Sequence, residues 1–281
     1  MVTVACVYSV ERHFRSAEQI VAALFRDELD AETDAVERPR PKNKLTTAHL
    51  PCAEDDGCGD ALAISGVHVG VAWLAAQVTA RRQAEQVLIA VMDGQETLWD
   101  TLRLHLDFNV RTIPVLDIIH VLSYVWEAAG LFKSTDAARR DFTRKRLLWI
   151  LQGEVRRVIR GLRRMGTHRG LAGADKKDLD RICGYLEKNA DKMRYDECLA
   201  CGYPIASGVI EGACRHLVKD RMERSGMRWP LEGARQMLHL RAAFQSDYWR
   251  TFLDRRIVQE TARIHRHRSL LNDYQPFTLG C

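Results

Sequence analysis

The hydrophobic period of the chain changes most sharply between residues 87 and 132. Residues 87–92 (VLIAVM) form a short unbroken apolar run, the pattern of a strand covered on both faces. Asp93 and Gly94 end it. Residues 97–106 place apolar side chains at helical spacing. Residues 110–116 (VRTIPVL) are a second β-rich run, closed by Asp117, and residues 118–132 are helical again. Strand, helix, strand, helix at this length predicts a βαβ unit with parallel strands and a right-handed crossover. Both strands end at an aspartate, on the carboxyl edge where open α/β sheets carry their sites.

Upstream, residues 2–9 alternate and are β-branched, which predicts a strand. Ser16 followed by Gln19 is a capping box, and Ile20, Val21 and Leu24 give the helix over 17–29 an apolar face. Residues 35–60 are polar and proline-containing and predict a flexible loop. Downstream, 137–199 reads as helical and basic, with Val155, Val158, Ile159 and Leu162 as an apolar stripe. Pro204 breaks the pattern, and Ser207 can cap a helix running to about 221. Further helices are expected over 231–244 and 248–265. Neither an internal repeat nor a low-complexity tract interrupts the pattern.

Residues 61–80 contain no Asp, Glu, Lys or Arg, and twenty residues are enough to span a bilayer. His68, Gln77, Ser65, Gly66 and Gly70 are poor lipid-facing residues, so a buried helix is the favoured reading. The N-terminus lacks the basic region and cleavage site of a signal peptide. Over the whole chain, 46% hydrophobic and 28% charged residues mark a globular composition rather than a disordered or fibrous one. Eight cysteines among 281 residues are too sparse and irregular for a disulfide scaffold, so most are read as cytosolic thiols. A net charge of +5 permits a polyanionic partner without requiring one.

Four constellations can carry chemistry. Asp93 at a strand end suits a divalent metal, or else an ordinary Asp-Gly turn. Asp117 and His120 are either a functional pair or an N-cap aspartate with a packed histidine. Glu211 sits near the start of a helix with Arg215 and Lys219 at i+4 and i+8. A carboxylate in a cationic row fits a metal-and-phosphate site, and equally a solvated i,i+4 ion pair. Cys198 and Cys201 form a CxxC outside any thioredoxin-like setting and without matching zinc ligands; a structural zinc is the weakest reading. Phosphate-loop, dinucleotide, nucleophile-elbow and zinc-protease motifs do not occur.

Asp93-Gly94, the run 115–126 (VLDIIHVLSYVW) and the run 203–221 (YPIASGVIEGACRHLVKDR) together resemble bacterial insertion-sequence transposases of the ISKra type, relatives of the Mutator-like DDE enzymes. Residues 1–24 and 235–268 share the likeness, which covers most of the chain outside about 40–85. The resemblance implies an α/β, RNase H-like core with an all-helical insertion and a helical C-terminal part. The corresponding division is 1–132 for the first part of the core, 133–203 for the insertion, and 204–281 for the helical remainder bearing the third carboxylate.

It also implies metal-dependent cleavage and strand transfer of insertion-element DNA by three carboxylates holding two Mg2+ ions, with Mn2+ as a substitute. Asp93 would be the second carboxylate and Glu211 the third, both as metal ligands. Asp117 and His120 would be a supporting Asp-x-x-His signature. Arg215, Lys219, Arg221, Arg224 and Arg228 would contact DNA. In such proteins the first aspartate lies on a strand preceding the one that opens this sequence. The expectation is therefore a truncated copy, with a catalytically inactive DNA-binding remnant as the alternative. Nucleoid-associated cytoplasm is the expected location and DNA the expected partner; no membrane is expected, and self-association is left open.

Overall fold

The computed structural model describes residues 2–26, 38–55, 61–106, 111–222 and 227–264. These residues form a mostly helical α/β structure with three two-stranded sheets. Strand β1 (Thr3–Ser9) leads to helix α1 (Ala17–Phe25), where Ser16 and Gln19 complete the capping box. The helix ends at Arg26, whose left-handed backbone stops it short of the expected 29.

The predicted loop over 35–60 is corrected. Strand β2 (Lys42–His49) lies inside it and runs antiparallel to β1, with Val4 opposite Ala48 and Val7 opposite Leu45. Leu45, Thr46, Thr47 and Ala48 are all buried. The charged opening of the segment hides a strand whose two threonines suit a pleated, covered surface. A short hairpin follows, β3 (Cys52–Asp55) with β4 (Ala61–Ile64). The uncharged helix therefore starts later than expected, as α2 (Gly66–Arg81), capped by Ser65 accepting from the His68 N–H at 3.2 Å. Gly66 is required there, because a Cβ would come within 2.8 Å of the His49 carbonyl oxygen. Among the described residues no helix is long and apolar enough to cross a membrane.

The βαβ unit is present: β5 (Leu88–Met92), α3 (Glu96–His105) and β6 (Thr112–Leu116), with β5 and β6 parallel. The expectation that β5 is fully covered fails, since all five of its residues are only partly buried. Its two faces are nonetheless packed. Leu88, Ala90 and Met92 meet Val71, Ala75 and Val78 of α2, and the same cluster takes in Val7 of β1. Ile89 and Val91 pack on the main core from the other side. The exposure of β5 is thus along its edge.

The helical stretch that follows comprises α4 (Ile118–Phe132), α5 (Asp136–Leu151), α6 (Val155–Arg169), α7 (Gly173–Lys188), a 3-10 turn (Ala190–Lys192) and α8 (Tyr195–Ala200). Val121 and Val125 of α4, Leu147 and Ile150 of α5, Leu162 of α6, and Ile182 and Leu186 of α7 form its interior. Burying each of these side chains contributes about 1.5–3 kcal/mol before entropy is subtracted. Helix α9 (Gly208–Cys214) then passes through a π-helical turn (Arg215–Lys219) into α10 (Asp220–Met222). Helices α11 (Leu231–Gln245) and α12 (Trp249–Ile264) follow, and α11 lies against β2.

Candidate functional site

The parallel register pairs Met92 with Leu116, so Asp93 and Asp117 leave the sheet from neighbouring strands. The Asp117 N–H still donates to the Met92 carbonyl, at 2.9 Å. The two carboxylates then meet different surroundings. Asp93 is partly exposed. Its Oδ1 accepts the Gln95 N–H at 2.9 Å and its carbonyl accepts the Trp99 indole N–H at 2.8 Å, which fixes the loop. Among the described residues its Oδ2 has no partner.

Asp117 is 1% exposed, and both its oxygens are used. Oδ1 accepts the Ile119 N–H at 2.9 Å, capping α4, and Oδ2 accepts the Ser207 hydroxyl. The Ile118 N–H donates to the Ile205 carbonyl at 3.0 Å. Ser207 therefore tethers α9 to the sheet end instead of capping the helix by its side chain, as the sequence led us to expect. Glu211 follows one turn later, its N–H on the Ser207 carbonyl at 3.0 Å. It is exposed and makes no ion pair with Arg215 among the described residues. His120 is exposed rather than packed, because it falls on the outer side of α4.

Tyr185, from α7, joins the helices of 118–200 to this site. Its ring lies on the backbone of Gly94, where a Cβ would approach to 2.4 Å. It stacks on Tyr124 with ring centroids 3.8 Å apart. Its hydroxyl is buried without a hydrogen-bond partner among the described residues. Burial, reinforced by Tyr124 and the Asp93 carboxylate, raises this phenol above its ordinary range. Tyr195 sits beneath, fully buried, its hydroxyl donating to the Leu116 carbonyl at 2.7 Å. Burial first, then Asp117, drives its phenol well above the usual value. Sequence reasoning missed both tyrosines, since each occupies a core position of a helix.

Asp117 spends both oxygens as a structural cap, and no three His, Cys, Asp or Glu side chains among the described residues converge to hold an ion. Cys198 packs into the main core, where burial pushes its thiol up to about 11, which suits an inert core cysteine.

Of the cations expected to meet DNA, Arg215, Lys219 and Arg228 are exposed. The backbone of Arg221 lies in α10, and Arg224 lies outside the described residues. The π-helical turn offsets Lys219 from the i+4, i+8 row that regular helical spacing predicts, because its bonds run i→i+5. Arg241 from α11 braces that turn, its Nε donating to the His216 carbonyl at 2.8 Å.

In helices α5 and α6 the basic residues divide. Arg146 is half-buried over the Phe142 ring, and burial lowers its pKa to about 10. Arg157 is held by Glu154 and the Trp149 ring, and Arg163 by Glu187. Arg156, Arg160 and Arg164 are exposed at successive i+4 positions of α6, without ion pairs among the described residues. No family model matches the chain, and neither does any curated protein or solved structure.

Proposed function

We propose that the chain belongs to the catalytic part of a DDE-type transposase, with an RNase H-like core, acting on insertion-element DNA. The observation that carries this reading is the meeting of the two sequence runs behind the resemblance. Asp117 and Ser207, 90 residues apart, are joined by a hydrogen bond. Asp93 then stands on the strand beside Asp117, and Glu211 one turn beyond Ser207. Among the described residues, oxygens without a partner remain on Asp93 and Glu211, the two residues given catalytic roles, while the supporting Asp117 uses both of its own.

A second reading, a DNA-binding protein without catalysis, is favoured by the lack, among the described residues, of any group of three His, Cys, Asp or Glu side chains placed to hold an ion. Two carboxylates do not fix two cations, and small misplacements of reacting groups cost large factors in rate. The purified chain is therefore expected to bind duplex DNA and to cleave it weakly at most in Mg2+ or Mn2+. Cleavage should vanish in Asp93→Ala and in Glu211→Ala while DNA binding persists. Robust cleavage that survives both substitutions refutes the assignment of these residues. Failure to bind duplex DNA at low salt refutes both readings.

A further inference from the structure

A cavity of about 680 Å3 is bounded by α1, the residues that lead into α1 and β2, and the segment 202–209. Ile20 and Leu24 of α1, Ile118 of α4 and Val209 of α9 give it an apolar lining. Phe14 also lines it, with 63% of its surface exposed, so its ring is free to receive a flat partner.

The charged groups around this cavity do not balance. His13, Arg15 and Arg38 line it, and among the described residues the one acidic side chain there, Glu11, is already paired with Lys42 at 2.5 Å. Arg15 is half-buried and has no carboxylate partner among the described residues. Its Nη2 donates to the Tyr203 carbonyl at 3.3 Å, and its Nε is buried with no acceptor among them. Burial first, then Arg38, lowers the Arg15 guanidinium from its ordinary value. Burial, followed by Arg15 and Arg38, lowers the His13 imidazole as well. The three groups thus act on one another as like charges, a cost that a bound anion would offset. Gln19 also lines the cavity, but its side chain is held by the Ser16 N–H in the capping box, so recognition falls to the cations.

We propose that this cavity binds a free nucleoside monophosphate. Its phosphate would lie among Arg15, Arg38 and His13, whose N–H groups donate to phosphate oxygens; guanidinium forks match such oxygens in pairs. Its base would take the apolar lining and the Phe14 ring, because every base offers a face for aromatic stacking. The volume falls within the range of about 300–1,000 Å3 usual for small-molecule sites. A duplex fits less well. Its phosphates call for a row of cations along an open surface, as Arg156, Arg160 and Arg164 of α6 provide, whereas here three cations line one concavity beside apolar walls. This inference stands without the transposase reading.

Titration calorimetry of the whole chain at physiological salt tests it, with adenosine 5′-monophosphate as probe. One equivalent is expected to bind. Inorganic phosphate and adenosine, each keeping only part of the contacts, should bind about tenfold more weakly or less tightly still. Arg15→Gln and Arg38→Gln should each weaken the monophosphate about tenfold, or ~1.4 kcal/mol, the scale of one charge-assisted contact. Arg38 is exposed, so its variant reads the contact without disturbing the packing around Arg15. Arg160→Gln, on α6, should leave the affinity unchanged. Binding of the monophosphate no tighter than that of inorganic phosphate, or unaltered by Arg38→Gln, would overturn the proposal. An equal loss in Arg160→Gln would overturn it too, by reducing the effect to general attraction. So would displacement of the monophosphate by a 5′-phosphorylated duplex but not by the same duplex without its phosphates, which would give the cavity to DNA ends. None of these outcomes depends on cleavage activity.

Discussion

Gly94 shows how one missing methyl group ties two distant parts of the chain together. The Tyr185 ring covers its backbone so closely that a Cβ would stand 2.4 Å from a ring carbon. Gly94→Ala is expected to destabilise the protein by about 1–3 kcal/mol, the usual cost of overpacking a filled position. Adding Tyr185→Leu should restore part of the loss, since contacting sites are coupled. Urea denaturation of the single and double variants measures both effects, and additive losses would show that the ring is not what excludes a side chain at 94. In the sequence, Asp93-Gly94 reads equally as an ordinary turn. The requirement for glycine becomes visible only when a tyrosine 91 positions away is folded onto it.

At the level of elements, strong periodicity was legible and edge chemistry was not. The βαβ unit, the helices between 118 and 200, the α1 capping box and the N-cap role of Asp117 follow from local patterns. Strand β2 did not, because its first residues are lysine, asparagine and lysine, and the burial of its threonines comes from β1 and α11. The π-helical turn was equally hidden, being braced from outside by Arg241. The site was legible as residue types in sequence, while the saturation of Asp117 by Ser207 depends on chain closure over 90 residues.

Helix α6 carries a sharper expectation, because its arginines divide by structure. Replacing Arg156, Arg160 and Arg164 with glutamine should flatten the salt dependence of DNA binding by up to ~0.9 in log–log slope per lost phosphate contact. Arg146→Gln should leave that slope unchanged and lower thermal stability instead, since its guanidinium lies over Phe142 within the bundle. Fluorescence anisotropy with duplex DNA over a salt series, beside thermal melts, separates the two. An unaltered slope in the triple variant would remove α6 from the DNA surface.

Across the described residues the helices α4 to α8 dominate the packing. Most of the main core is built from α4 to α8, with Ile20 and Val21 of α1 and Val115 and Leu116 of β6 closing one side. The helical stretch from α4 to α8 also begins and ends at one point, for the Ile118 N–H meets the Ile205 carbonyl at 3.0 Å and Asp117 meets Ser207. A segment whose two ends touch and whose interior is mostly its own satisfies the usual description of an insertable unit. Residues 118–206 expressed alone are expected to give a helical circular dichroism spectrum and a cooperative melt, at lower temperature than the full chain because the strand side is uncovered. A broad, non-cooperative melt would show that the sheet is needed to organise it. If the unit folds, it is portable: its adjacent ends would let it be spliced into a surface turn of an unrelated host without prising that turn apart. The same geometry would let a short linker across 117 and 207 delete it, leaving the strands to reveal how much of their own order they can keep.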